Sequence, residues 1–169
     1  MKAIVLMIAC AASSAVADVK PPKITSKETG LYPSKACKTK IAGGEGQDPV
    51  LRCPAMKGFE VEVSFAAVTT QVSITGTTSK TDFSGLVGDK LEWRIANGKP
   101  FALLVEMADA DTDDQGNPIE KNRRVEVFVL GESAPYGKVE LASKKAADRR
   151  AAWAKARTLA SSIVSPPTK

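Results

Sequence analysis

Apolar and polar residues alternate along much of the middle of the chain. From Phe59 to Ala66 every second residue is apolar, a period that is typical of a strand with one buried face. Its glutamates, Glu60 and Glu62, are therefore predicted to face solvent. Four further segments are also predicted to be strands: 71–75, 90–96, 124–130 and 137–141.

A turn signal follows the segment at 90–96. Asn97 and Gly98 both tolerate the positive φ that a two-residue hairpin turn requires, so residues 100–107 are predicted to fold back as a sixth strand. Within 90–96, Glu92 alternates with Trp93 and is assigned to the polar face. The connections between strands are too short for helical crossovers, which predicts an antiparallel sheet.

The pattern changes to an alanine-rich helix after Ser143, which is a suitable N-cap, and the helix is predicted to run to about Ile163. Ser165-Pro166-Pro167 is a suitable stop. One face of the helix is predicted to dock on the sheet: Ala152, Trp153, Ala156, Leu159, Ala160 and Ile163. The predicted fold class is α+β, with an antiparallel sheet of about six strands packed by one C-terminal helix.

The N-terminus reads as a secretory signal peptide over residues 1–17. A charged start at Lys2 precedes a short apolar run and the small-x-small ending Ala15-Val16-Ala17, which predicts cleavage after Ala17. The apolar run is about ten residues, against the roughly 20 that a membrane anchor needs. We therefore expect a periplasmic or secreted protein, with no transmembrane segment in the mature chain.

The rest of the chain divides by composition into three parts. Residues 18–35 are rich in Lys, Pro, Ser and Thr, which predicts a flexible leader. Residues 36–163 are predicted to form a single β-rich domain with its C-terminal helix, and residues 164–169 a tail.

The chain has three cysteines. Cys10 lies in the signal segment and is predicted to be removed with it; its surroundings faintly resemble a lipoprotein cleavage site, so lipid attachment at Cys10 is the alternative. An even pair in an oxidising compartment then predicts a disulfide between Cys37 and Cys53. A zinc site or a redox centre fits less well, because two thiols are too few for zinc and the spacing is not Cys-x-x-Cys.

The net charge is +5, and removal of Lys2 with the signal lowers it to +4. This is too small to indicate nucleic-acid binding. The basic residues of the helix form either a solvated face or a surface that attracts acidic polymers or headgroups: Lys144, Lys145, Arg149, Arg150, Lys155 and Arg157. Arg150, Lys155 and Arg157 are predicted to lie outside the docking face. Lys145 and Arg149 project from the docking side one to two turns earlier, so the start of the helix is predicted to overhang the core.

The chain contains no histidine, which excludes Ser-His-Asp and Cys-His machinery and histidine acid–base catalysis. No catalytic residue is therefore assigned. Carboxylate pairs can hydrolyse glycosides, and four glutamates lie on predicted strands: Glu60, Glu62, Glu92 and Glu106. Alternating glutamates on a strand are more often its polar face.

An acidic stretch between two predicted strands offers a weak calcium candidate. Its oxygen ligands would be Asp109, Asp111, Asp113 and Glu120, and Gly116 would supply the turn. The two possible registers conflict, because each leaves one required position filled by the wrong residue. A polar hairpin loop is the competing interpretation, and neither a metal nor a cofactor is assigned.

Several short motifs occur in a characteristic order: Cys37, Cys53-Pro54, Lys57-Gly58, the segment Gly88-Asp89-Lys90-Leu91-Glu92-Trp93-Arg94, Pro100-Phe101-Ala102 and the Ala/Arg-rich helix. In this order the chain resembles a group of small periplasmic proteins of alphaproteobacteria that have no established activity. The resemblance implies a periplasmic location, this fold and the Cys37–Cys53 bridge. A further cysteine that members often carry before the last strand is missing from 134–138.

These features predict a non-catalytic exported protein that binds an unknown protein or envelope polymer, as an envelope accessory or a hydrolase inhibitor. Two alternatives stay open. One is an envelope hydrolase that uses a carboxylate pair, and the other is a calcium-stabilised adhesion or matrix protein.

Overall fold

A computed structural model describes residues 21–42, 44, 48–66, 68–115 and 117–164. Within them the chain forms nine strands followed by one helix. The strands are β1 (Ile24–Gly30), β2 (Lys38–Ile41), β3 (Val50–Cys53), β4 (Phe59–Ala66), β5 (Thr69–Gly76), β6 (Lys80–Ala96), β7 (Lys99–Thr112), β8 (Pro118–Val129) and β9 (Gly137–Glu140), and the helix is α1 (Ala146–Ser162). The predicted signal with Ala17 and Cys10, and most of the tail, lie outside the described residues.

All strand pairs are antiparallel, in the order β2-β3-β4-β5-β6-β7-β8-β9, with β1 added beside β6. The predicted class, an antiparallel sheet with a C-terminal helix, is confirmed. The expected count of six strands was too low, because β2 and β3 have only four residues each and β1 has almost no apolar alternation. The Asn97-Gly98 turn has the predicted positive φ at both residues, 49° and 82°.

The long strand β6 has two successive partners along one edge. Its first half, up to Gly85, pairs with β5, whereas its second half, from Lys90, pairs with β1. Between these halves Gly85 has a φ of +153°, and a Cβ at Gly88 would lie 3.2 Å from the backbone oxygen of Glu106. Glycine therefore permits the close approach of β7 where β6 changes partner.

The two halves of the sheet share one apolar core. Valines and isoleucine from β4 and β5 join side chains from the second half of β6, from β7 and from β8. Aromatic contacts link the halves, with ring centroids 5.3 Å apart for Phe59 and Trp93 and 4.8 Å apart for Phe83 and Phe128. The indole nitrogen of Trp93 donates a hydrogen bond to the Thr29 hydroxyl of β1.

Helix α1 covers the outer face of the second half of the sheet. The predicted docking face is confirmed: Ala152, Trp153, Ala156 and Ala160 are buried against Leu104, Val125 and Val127, and Leu159 and Ile163 pack beside them. The helix begins at Ala146, three residues after the predicted cap, and Lys145 is the N-cap. The Ser143 hydroxyl instead contacts Asp148 and accepts a hydrogen bond from the Lys145 amide.

The predicted flexible leader at 18–35 was wrong for residues 24–31. Residues 24–30 pair with residues 90–96 of β6, and Leu31 just beyond them is 1% exposed. The strand is held by backbone pairing with residues 60 to 72 positions away, for which local composition carries no signal.

The predicted disulfide between Cys37 and Cys53 is confirmed. It joins the residue before β2 to the last residue of β3, and Cys53 is buried in the core. The bridge thereby ties the two short strands at the edge of the sheet to the packed interior.

Candidate functional site

Glu92 lies at the interface between the sheet and α1, where its side chain is completely buried. Arg157 of α1 donates hydrogen bonds to this carboxylate from two nitrogens. Its Nη2 lies 2.7 Å from Oε2, and its Nε lies within 3.0 Å of both carboxylate oxygens. On the sheet side, the Ser26 hydroxyl donates a 2.6 Å hydrogen bond and Arg94 lies 3.5 Å away. The assignment of Glu92 to a solvent-facing position was wrong, because the helix covers that face of β6.

These contacts keep Glu92 ionised. Burial raises the pKa of Glu92, but hydrogen bonds from Arg157 and Ser26 and the charges of Arg157 and Arg94 outweigh it, so the pKa lies below its ordinary value. The pKa of Arg157 is raised, chiefly by its hydrogen bond with Glu92. The pair is therefore a charged clamp between β6 and α1.

Glu106 of β7 forms a second clamp with the start of the helix. Nε of Arg149 lies 2.6 Å from its carboxylate, and Arg123 of β8 contacts the other oxygen. Burial raises the pKa of Glu106, but hydrogen bonds from Arg123 and Arg149 and their charges outweigh it and lower the pKa overall. The prediction that the start of the helix overhangs the core was wrong, because Arg149 joins it to Glu106 of the sheet.

A cleft of about 460 Å³ opens between α1 and β6, directly beside both clamps. Its lining contains four cations, one carboxylate and an indole: Lys90, Arg149, Arg150, Arg157, Asp89 and Trp153, together with Ala146. Trp153 is 4% exposed, and the Lys90 ammonium lies 4.7 Å from its ring centroid. Lys90 is also held by Glu28 of β1, at 2.7 Å.

The cleft arginines keep exposed surface although they are anchored. The side chain of Arg157 is 41% exposed and that of Arg149 is 42% exposed, while the glutamates beneath them are buried. The clamp on Glu92 uses Nε and Nη2 of Arg157, so its Nη1 is left for another acceptor. Arg150 forms no ion pair with any described residue and is exposed.

The four glutamates considered for hydrolysis do not form one catalytic pair. Glu60 and Glu62 lie on β4 and pair with Arg52 and Lys40 respectively, away from the helix. Glycoside hydrolysis needs one carboxyl that stays protonated near neutral pH, which requires a raised pKa. The pKa of the two buried candidates, Glu92 and Glu106, is shifted in the opposite direction.

The acidic stretch forms the end of the β7–β8 hairpin. Its candidate calcium ligands already have partners: Asp109 contacts Asn122 and Arg124, and Asp111 contacts Lys121. Asp113 accepts hydrogen bonds from residues 115 and 117, and Glu120 lies 3.5 Å from Lys144. Among the described residues no three metal-ligating side chains come together.

Sequence reasoning identified the basic helix but not the cleft. Arg149, Trp153 and Arg157 are spaced four residues apart and so share one stripe of the helix. That stripe, together with Glu92 and Glu106 on neighbouring strands, was the available signal for a charged interface.

No family model, curated protein or solved structure matches this chain. Among the described residues, no helix combines the length and the apolar character that crossing a membrane demands.

Proposed function

We propose that this chain is an exported binding protein without a catalytic role, and that its ligand contacts the cleft between α1 and β6. The proposal is supported by a difference in exposure between the negative and the positive side chains at this interface. The carboxylates of Glu92 and Glu106 are buried and paired within the fold, whereas the arginines that pair with them are partly exposed at an open cleft.

Export is supported by the signal pattern at residues 1–17 and is compatible with the Cys37–Cys53 bridge. In the proposed account the protein works in the periplasm, as the resemblance to small periplasmic proteins implies. The intact mass of the protein, expressed with its own N-terminal segment, tests this part. We expect a chain that begins at Asp18 and lacks two hydrogens; an uncut chain or a lipid on Cys10 would contradict it.

A binding role fits the site better than hydrolysis does. A cleft of this size lies within the usual range of small-ligand sites, roughly 300–1,000 Å³. Each anchored guanidinium is already held in one orientation, so a ligand does not have to restrict a free side chain. Neither buried carboxylate has the raised pKa of a general acid.

Sedimentation with the insoluble envelope fraction of the producing cell separates the two roles. We expect the purified protein to sediment with that material up to a saturating amount and to release no soluble fragments over time. Continued release of soluble fragments, abolished by Glu106→Gln, would establish the hydrolase instead. Absence of sedimentation, together with no ligand retained by the protein purified from the cell, would refute a binding role.

A further inference from the structure

The cations of the cleft form an ordered row. Arg149 and Arg157 are eight residues apart on one helix, which places their Cα atoms about 12 Å apart along its axis. Trp153 lies midway between them, and Lys90 is held over its ring. A single small anion cannot reach both ends of this row, so the spacing suits an elongated ligand with several negative groups.

Buried glutamates hold the two end arginines of the row in fixed positions. Each end is fixed by a buried glutamate, Glu92 under Arg157 and Glu106 under Arg149, and each glutamate also contacts a second arginine. At the Glu92 end, two arginines around one carboxylate leave an excess of positive charge. At the Glu106 end, Asp89 lies 3.7 Å from Arg149 and Glu120 lies 3.6 Å from Arg123, so the charges there are balanced. Arg150 adds a cation that no described residue neutralises.

The surroundings of the row distinguish among polyanions. Among the described residues, the large exposed hydrophobic side chains are Tyr32, Ile41, Val68 and Tyr136, and none of these lies on α1. A helix that inserts into a membrane surface needs an exposed apolar face. Trp153 is buried beneath Lys90, so the cleft offers no open aromatic ring on which a nucleic-acid base could stack. An acidic polysaccharide needs neither feature and presents repeated carboxylates to a row of guanidinium groups.

We propose that the cleft between α1 and β6 binds a segment of an acidic polysaccharide, with carboxylates of the chain contacting Arg149, Arg150 and Arg157. The assignment rests on the proposed binding function and names its ligand class. Each contact lies at a partly exposed side chain and is weak alone, so affinity depends on several contacts along one chain.

Calorimetric titration with polygalacturonate at low salt tests the assignment, using Arg150→Glu and Lys155→Glu as a matched pair. Both residues are exposed on α1, and both substitutions change the net charge equally, but only Arg150 lines the cleft. We expect Arg150→Glu to weaken binding about tenfold and Lys155→Glu by less than about twofold. Equal losses in both variants would show a general charge effect and overturn the site.

Neutral dextran, a single-stranded DNA oligonucleotide and phosphatidylglycerol vesicles complete the test. We expect no binding of dextran and weaker binding of DNA and vesicles than of polygalacturonate. No binding of polygalacturonate, or tighter binding of DNA or vesicles, would overturn the ligand class. If the protein still sediments with envelope material in that case, the binding function stands and only the acidic polysaccharide is wrong.

Discussion

The second half of the sheet has two faces that are buried by different means. The face toward β4 and β5 is covered by aromatic and aliphatic side chains, with Trp93 and Leu103 fully buried. The face toward α1 combines a smaller apolar cluster with two glutamates and the arginines that hold them. Both faces exclude water from the sheet, but only the second holds charges in fixed positions beside an open cleft.

This difference indicates a division of roles. Burial of apolar area is non-directional and stabilises whichever side chains fill the space. A buried ion pair gives little net stability but costs much when one partner is removed, so it fixes the orientation of the groups it joins. The inner face accordingly accounts for most of the stability, and the helix face for the placement of the arginines.

The largest expected effect comes from the inner face. Trp93→Ala removes a completely buried indole and its hydrogen bond to Thr29, and we expect the free energy of unfolding to fall by about 3–5 kcal/mol. Urea denaturation in low and high salt measures it. The loss should be the same at both salt concentrations; a loss below about 1 kcal/mol would contradict the importance assigned to this face.

Removal of one charge from the helix face is expected to have a smaller effect. Glu92→Gln leaves Arg94 and Arg157 without their shared anion, and because Arg157 is partly exposed we expect a loss of about 2–3 kcal/mol. Glu60→Gln on β4, which breaks an exposed pair with Arg52, is the control and should change stability by less than about 0.5 kcal/mol. Similar effects of the two variants would remove the distinction between buried and exposed pairs.

Acid is expected to weaken the helix face selectively. The pKa of Glu92 and Glu106 in the folded protein lies below the ordinary 4.5, so the unfolded chain takes up their protons first as the pH falls. Their contribution is therefore complete above about pH 5, declines below it and is lost as the pH passes through the folded-state pKa values. Thermal melts from pH 7 to pH 3 should show a shallower decline for the Glu92→Gln/Glu106→Gln variant, and an unchanged slope would contradict this account.

The smallest expected effect is at Arg150. Its exposed side chain forms no ion pair with a described residue, so Arg150→Glu should change the free energy of unfolding by less than about 0.5 kcal/mol. Chemical denaturation checks this, with Lys155→Glu as the control. A large loss for Arg150→Glu alone would mean that Arg150 supports the fold rather than the ligand.

Prediction from the sequence succeeded where the determinants are local. Strand β4 and the docking face of α1 follow from periodicity, and the Asn97-Gly98 turn follows from two residues that accept positive φ. Strand β1 was missed because its partner is β6, far away in the chain. Nothing local distinguishes it from a flexible leader.

The candidate site could be predicted only in part. Glu92 was correctly assigned to the face of its strand opposite Trp93. That face is not exposed, however, because a helix that follows some 50 residues later covers it. Arg149 and Arg157 were treated as solvated or overhanging because helical spacing alone does not reveal a carboxylate in the opposing sheet. Partners contributed by another element determine whether such charges are exposed or clamped.

A double-mutant cycle between Glu92 and Arg157 tests the central claim, that buried carboxylates fix the arginines of the cleft. It requires the free energies of unfolding of the protein, of Glu92→Gln, of Arg157→Gln and of the double variant. We expect a coupling energy of about 1.5 kcal/mol or more, against less than about 0.5 kcal/mol for the same cycle between Arg52 and Glu60. A coupling energy for Glu92 and Arg157 that is no larger than that of the exposed pair would contradict the account.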